Sequence, residues 1–359
     1  QLAHFFISEV AQFFIDKGRF INWNGLIVIL DRNKKYYYSH LLDQREQHMC
    51  DLIVDAAFQL KESVSVPNEI RKGTTFNRIF DVISLDFPEL YFFDISKASY
   101  VYSGFSSKVN LGYRYTRVEI EKLNQIIRTH AKEVSELLRT ERTKTGAEKI
   151  IHDYLMKSIK YPQSNTGKSE YHTIVGALVE RMAVCEGYSR AFKFLCESNN
   201  LLCMTVSGTA ISKIPELNGP HAWNIVKLAN YGCFHVDTTW DSCFYHSGSS
   251  SHVYYNQSDA DMLADHIWDR SKVPECKSQF GERIPCCKSL SELENVICTN
   301  VKANKLSFSV RVDHEFSSSK EAMEVTSKIV HRHFELKIKS YTVGYISERK
   351  QVEYTFMKY

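Results

Sequence analysis

The sequence has no apolar run approaching 18 residues, and no segment is expected to span a membrane. It has no basic block either. Net charge is +3, on 45 basic and 42 acidic residues, which makes nucleic acid a poor candidate for a partner. No C-x-x-C pair occurs, which disfavours a structural zinc site, and the expectation is no bound metal and no cofactor. No internal repeat and no low-complexity tract is visible. Gln1 to Phe6 lack a basic n-region, a long apolar stretch and a small-residue cleavage site, so no signal peptide is read. The chain begins without Met, so that reading says little about location.

What is present is an ordinary globular composition over 359 residues, 43% apolar and 24% charged, with 21 Phe and 20 Tyr to build a core. That length exceeds the needs of one small domain. The ten cysteines are irregularly spaced, unlike a disulfide framework, and read mostly as buried thiols. They slightly favour the cytoplasm, with the cell surface or secretion open if the N-terminus has been trimmed. Cys276, Cys286, Cys287 and Cys298 cluster late and are candidates for a disulfide or a metal.

Residues 1–64 read as a helix, a short strand over Gly25–Leu30, and a helix over about Leu41–Leu60. A helix after Pro67 ends at Asp86-Phe87-Pro88-Glu89. Tyr91–Ile95, Ser99–Ser103 and Lys108–Tyr115 read as strands. Apolar spacing predicts a helix over Thr116–Leu138, and another follows over about Ala147–Ser158. Pro162–Ser169 and Ser242–Ser251 read as loops. From Lys305 the pattern is strand, helix, strand, strand. The expected organisation is an α+β protein in three parts: an N-terminal helical and β region (1–115), a core (116–290) and a small C-terminal α+β unit (300–359).

Three short stretches carry chemistry. In Val184-Cys185-Glu186-Gly187-Tyr188, the apolar positions Tyr188, Ala191, Phe192 and Leu195 share one helical face. A helix therefore starts near Cys185. A thiol there faces free N–H groups and the positive helix end, which favour the thiolate and can cradle an oxyanion. Taken alone, such a cysteine is more often just buried; Cys196, three turns on, illustrates that. Gly187 would keep the first turn narrow enough for a substrate backbone to approach.

The second and third stretches are His221-Ala222-Trp223-Asn224 and Val236-Asp237-Thr238-Thr239-Trp240-Asp241. They read as two strands joined by a tight turn. With a loop of Ala229–Tyr231, Leu228 pairs with Gly232 and His221 with Thr239. Asp237 then lies diagonal to His221 on the same face, within reach. A four-residue loop without a bulge would separate them. A Cys nucleophile needs a base, and a carboxylate on the far nitrogen fixes the tautomer of a His base.

In that order, Cys then His then Asp, these motifs resemble the bacterial transglutaminase-like family, which has a papain-like fold. Ile151-His152-Asp153-Tyr154-Leu155 is similar to that family's helix before the site. Asp86–Leu90 and Asp259–His266 are similar to segments of its longer members. The resemblance spans about residues 30–275. It implies Cys185 as nucleophile, His221 as acid/base and Asp237 as orienting partner. The implied fold is a helix bearing the Cys packed on an antiparallel sheet bearing His and Asp. The implied activity is thiol acyl transfer on protein or peptide carboxamide or amide groups: crosslinking, deamidation or hydrolysis. A cysteine protease on the same scaffold and a non-catalytic binding module are the alternatives.

Around the triad, Trp223 is a candidate wall of the site. Tyr171 and His172 are candidates to donate to an oxyanion. Trp240, Asp241, Asp153 and His266 read as scaffold, and His246 and His252 as solvent-exposed. His235 shares the face of Asp237 without other support.

Overall fold

The computed structural model describes residues 20–23, 26–29, 37–67, 73–102, 107–163, 167–212, 218–228, 231–247, 252–277, 286–346 and 350–359. Of the helix expected before Gly25, residues 1–19 lie outside the described residues, and the stretch Phe20–Trp23 is a strand instead. Strands β1 (Phe20–Trp23) and β2 (Leu26–Ile29) pair antiparallel. β3 (Ser63–Val66), β4 (Ser99–Tyr102) and β5 (Ser107–Asn110) form an antiparallel sheet in the order β3-β5-β4. β6 (Leu202–Ala210), β7 (Gly219–Leu228), β8 (Gly232–Val236) and β9 (His266–Trp268) form the central antiparallel sheet, ordered β8-β7-β6-β9. β10 (Cys286–Cys287), β11 (Ser307–Val312), β12 (Ile338–Ile346) and β13 (Gln351–Lys358) form a fourth sheet, ordered β10-β11-β13-β12. The chain is α+β, with antiparallel pairing dominant.

Hydrophobic burial groups the described residues into two clusters. One runs from Tyr38 to Cys276 and joins the first third of the chain to the central sheet. The other holds Cys287 to Phe356. The four late cysteines therefore do not gather at one place, and all ten cysteines are free thiols.

The helix Cys185–Ser198 lies on β6 and β7. Its buried stripe is Tyr188, Ala191, Phe192, Leu195 and Cys196, the spacing of one helical face. Each large member contributes about 1.5–3 kcal/mol by leaving water, and Phe192→Ala would cost about 3–5 kcal/mol. Other helices are started by side-chain caps: Asp43 and Thr116 in capping boxes, Thr143 by its hydroxyl. The Cys185 helix has no side-chain cap. Its start is pinned through the chain instead. The Val184 N–H donates to the Tyr171 carbonyl (3.1 Å) and the Ala183 N–H to the Lys160 carbonyl (3.2 Å). Gly187 is required here, because an added Cβ would stand 2.3 Å from the Tyr171 carbonyl oxygen. The narrow first turn thus admits the protein's own backbone, not a substrate's.

Three expectations are corrected. Tyr91–Ile95 is not a strand: a 3-10 turn at Pro88–Leu90 precedes it, Phe93 makes a single bridge to Tyr113, and Asp94 caps the turn Ile95–Lys97. Tyr91, Phe92 and Phe93 are all buried in succession, which the alternation of a half-buried strand does not allow. The second is β3, a strand that the reading of the first third did not include. The third correction concerns the hairpin. Leu228 does pair with Gly232, as a three-residue loop requires, but the ladder ends at Asn224–Val236. Thr238–His246 is helical, so His221 pairs with Gly208 on β6 and not with Thr239. Asp237 caps that helix, accepting from the Thr239 and Trp240 N–H groups at 3.0 and 3.2 Å. An Asp before Thr-Thr-Trp is a helix N-cap, and this cap outcompetes continuation of the strand.

Candidate functional site

His221 leaves β7 near the start of the Cys185 helix. Its Nε2 lies 2.7 Å from Asp237 Oδ2. That leaves Nδ1 free of Asp237, and the Cys185 thiol lies close enough to act on the imidazole. His221 is 7% exposed and Asp237 is fully buried. Cys185 is half-buried, so reagents can reach it. The helix cap fixes Asp237 Oδ1 and aims Oδ2 at the imidazole. The Asp237 cap and the strand pairing of His221 therefore set the pair, through two elements that meet at the sheet end.

The electrostatics follow from this geometry. Burial pulls the His221 pKa down, but the Asp237 charge and hydrogen bond, with Cys185, push it up to about 10. Burial pushes the Asp237 carboxyl up, and His221 and His266 outweigh it, holding it well below the usual carboxylate range. Trp223 and Trp240 flank the imidazole at ring-centroid distances of 6.0 and 5.6 Å. Their dry faces keep the local dielectric low and the charge pair strong.

Trp223 thus stands beside His221, but buried beneath it: its indole N–H donates to His235 Nδ1 at 2.9 Å. Tyr171 and His172 are not brought to the thiol by their side chains. Tyr171 supplies its backbone carbonyl, and Lys168 Nζ stands over its ring. His172 Nδ1 is 2.9 Å from Glu186 Oε2, beside a cavity of about 420 Å³ that Arg114 and Arg190 also line. Asp241 and Asp153 tie segments together. Asp241 accepts from the Tyr254 N–H and faces His152 Nε2 at 3.0 Å, while Asp153 meets Lys149 and His252. His246 and His252 both find partners, His246 on the Ile159 carbonyl at 3.0 Å and His252 on Asp153.

One residue that the sequence reading passed over is Tyr161. Lys160 bridges to Met182 in parallel, just before Cys185. Tyr161 is thereby laid alongside the nucleophile. Its hydroxyl has no hydrogen-bond partner among the described residues. Burial, then the charges of Cys185, Cys243 and Asp237, push the phenol well above its ordinary value. The available signal was Lys160-Tyr161-Pro162, since the residue before a proline is held extended.

Among the described residues, three groups of His, Asp or Cys bring ligand atoms within 4.8 Å of one another. At His235, Asp259 and Cys276, Nδ1 of His235 already accepts from Trp223. Its Nε2 must then carry the proton it donates to Asp259 (2.8 Å), which blocks metal ligation there. At His152, Asp153 and His252, the Lys149 ammonium occupies Asp153 at 2.8 Å. At His221, Asp237 and His266, both Nε2 atoms stand at hydrogen-bond distance from one carboxylate oxygen, Asp237 Oδ2.

Residues 132–238 match the model of the transglutaminase-like superfamily. That match covers less than half of the chain. It contains Cys185, His221 and Asp237 and ends one residue beyond the last. Among solved structures, a TGase shares 10% identity at TM-score 0.30, over 49% of this chain and 50% of that one. A candidate cysteine protease from Cytophaga hutchinsonii shares 12% at 0.27, over 40% and 61%. A candidate protease from Parabacteroides distasonis shares 8% at 0.23, over 39% and 35%. The chain spans about half the length of the first of these, and likenesses this distant carry no argument about its chemistry. No curated protein matches.

Proposed function

We propose that this transglutaminase-like protein is a thiol acyltransferase acting on carboxamide or amide groups of proteins or peptides. The observation that carries the reading is the placement of one imidazole between a reachable thiol and a buried, helix-capping carboxylate.

The steps balance on these groups. The Cys185 sulfur, as thiolate beside the His221 imidazolium, adds to the carbonyl carbon. The oxyanion forms where the uncapped N–H groups of the Cys185 helix and the Tyr161 hydroxyl can donate. The C–N bond breaks as His221 gives its proton to the departing amine or ammonia, leaving a thioester on Cys185. An amine or water then gives a proton to His221 and adds to the thioester. Collapse breaks the C–S bond and restores the thiolate. Asp237 keeps Nε2 as the hydrogen-bonded nitrogen throughout, so Nδ1 does the proton work.

The test is incubation with glutamine-containing proteins and a fluorescent primary amine, following amine incorporation, ammonia release and the mass of the Cys185 peptide. A thioester adduct on Cys185, absent from Cys185→Ala, is expected. Amine incorporation marks a transferase, and ammonia or peptide release without it marks a hydrolase. Activity that persists in Cys185→Ala overturns the reading.

A further inference from the structure

Asp237 serves two histidines. Its Oδ2 is 2.7 Å from His221 Nε2 and 3.3 Å from His266 Nε2. His266 opens β9 and pairs with Ala210 on β6, while the Asp265 carbonyl before it accepts from the Ile211 N–H at 2.7 Å. The ring has no solvent exposure. Trp223, Trp240 and Tyr254 enclose it, with centroids at 4.9, 4.7 and 5.6 Å. Its other nitrogen, Nδ1, lies 2.6 Å from Asp265 Oδ1, and Asp265 Oδ2 accepts the Tyr254 hydroxyl at 2.7 Å.

A satisfied core histidine needs one acceptor and one donor. This one faces carboxylate oxygens at both nitrogens, and one of them is the carboxylate that orients the proposed acid–base. We propose that His266 is a positioning residue for Asp237, donating from Nε2 to Oδ2. Tyr254 and Asp265 hold the ring, the ring holds Oδ2, and Oδ2 holds His221. The helix cap immobilises only Oδ1. Without the second donor, Oδ2 keeps only its contact with His221, the carboxylate is held at one oxygen alone, and the orientation of His221 loosens. The proposal rests on reading Cys185, His221 and Asp237 as the reactive group.

Two measurements test it. The first uses the wild-type protein: two-bond ¹H–¹⁵N spectra of labelled histidine report which nitrogens of His266 carry protons. A proton on Nε2 is expected. A ring protonated on Nδ1 alone gives Asp237 no second donor and overturns the proposal. The second compares iodoacetamide labelling of Cys185 at pH 7 in His266→Phe and His266→Gln. The Phe variant should label about tenfold more slowly while keeping its circular dichroism. The Gln variant, with an amide N–H in place of Nε2, should recover to within about threefold of wild type. A folded Phe variant that labels like wild type overturns the proposal, as does equal slowing in both variants. If wild-type Cys185 labels no faster than the other cysteines, the reactive-site reading fails. The ¹⁵N spectrum still decides whether His266 donates to Asp237.

Discussion

Replacing Asp237 by Asn removes one charge and leaves the shape of the site. In the folded protein His221 stands at about 10 against an ordinary 6.5, a difference of about 3.5 pH units. At about 1.4 kcal/mol per unit this is about 5 kcal/mol in favour of the imidazolium, the net of what Asp237 and Cys185 supply after burial has been overcome. With Asn in place, burial acts on the ring opposed only by Cys185. The His221 midpoint should then fall from about 10 to near or below 7. The assay is a histidine-labelled NMR titration, with the His221 signal assigned by its loss in His221→Gln. The pair also links stability to pH. The His221 pKa is raised on folding, so its share of stability is full below about 6.5 and is lost as pH rises through about 10. The Asp237 pKa is lowered, so its share is present above its ordinary 3.8 and is lost in acid. The stability gap between wild type and Asp237→Asn should be widest between about pH 4 and 6.5 and narrow by pH 10. A wild-type His221 that titrates near 6.5, or a midpoint that stays above about 9 in Asp237→Asn, would refute the electrostatic argument.

The remaining predictions concern the surroundings. Tyr161→Phe should lower kcat on any accepted amide by about 10²-fold, the scale of one oxyanion donor, while Cys185 alkylation stays within twofold; an unchanged kcat excludes the hydroxyl from that role. Gly187→Ala should cost about 1–3 kcal/mol by denaturant unfolding, because its methyl meets the rigid Tyr171 carbonyl; wild-type stability would mean that the helix start is not so pinned. Trp223→Phe should cost about 1–3 kcal/mol by leaving His235 Nδ1 without its donor, and should alter the thiol's alkylation rate by less than threefold. A large loss of alkylation in that variant would make Trp223 part of the reactive group.

The Cys185 helix was legible because Tyr188, Ala191, Phe192 and Leu195 mark its buried face within the sequence itself. The hairpin was legible in its loop, since only the Leu228–Gly232 closure lets His221 and Asp237 meet. The end of that hairpin was misread. Alternation extends the strand through Thr239, while the local cap of Asp237 turns the chain into a helix. The aromatic run at Tyr91–Phe93 misleads for a related reason: aromatics favour strands, but here consecutive rings fill one core through turns. His266, read only as scaffold, and Tyr161, passed over, were less legible for a different reason. Their neighbours lie 29 and 24 residues away, His266 against Asp237 and Tyr161 against Cys185, and no local periodicity encodes such contacts. Tyr171 and His172 precede the helix in sequence, and their side chains are engaged elsewhere, by Lys168 and Glu186.

The most direct measurement is the rate of iodoacetamide labelling against pH, mapped to each of the ten cysteines by mass spectrometry, in wild type and His221→Ala. The account predicts that Cys185 labels faster than every other cysteine below about pH 7, and that removing His221 slows it to the rate of an ordinary thiol. A Cys185 that labels like an ordinary half-buried thiol in both proteins would contradict the account and leave a transglutaminase-like scaffold without a reactive nucleophile.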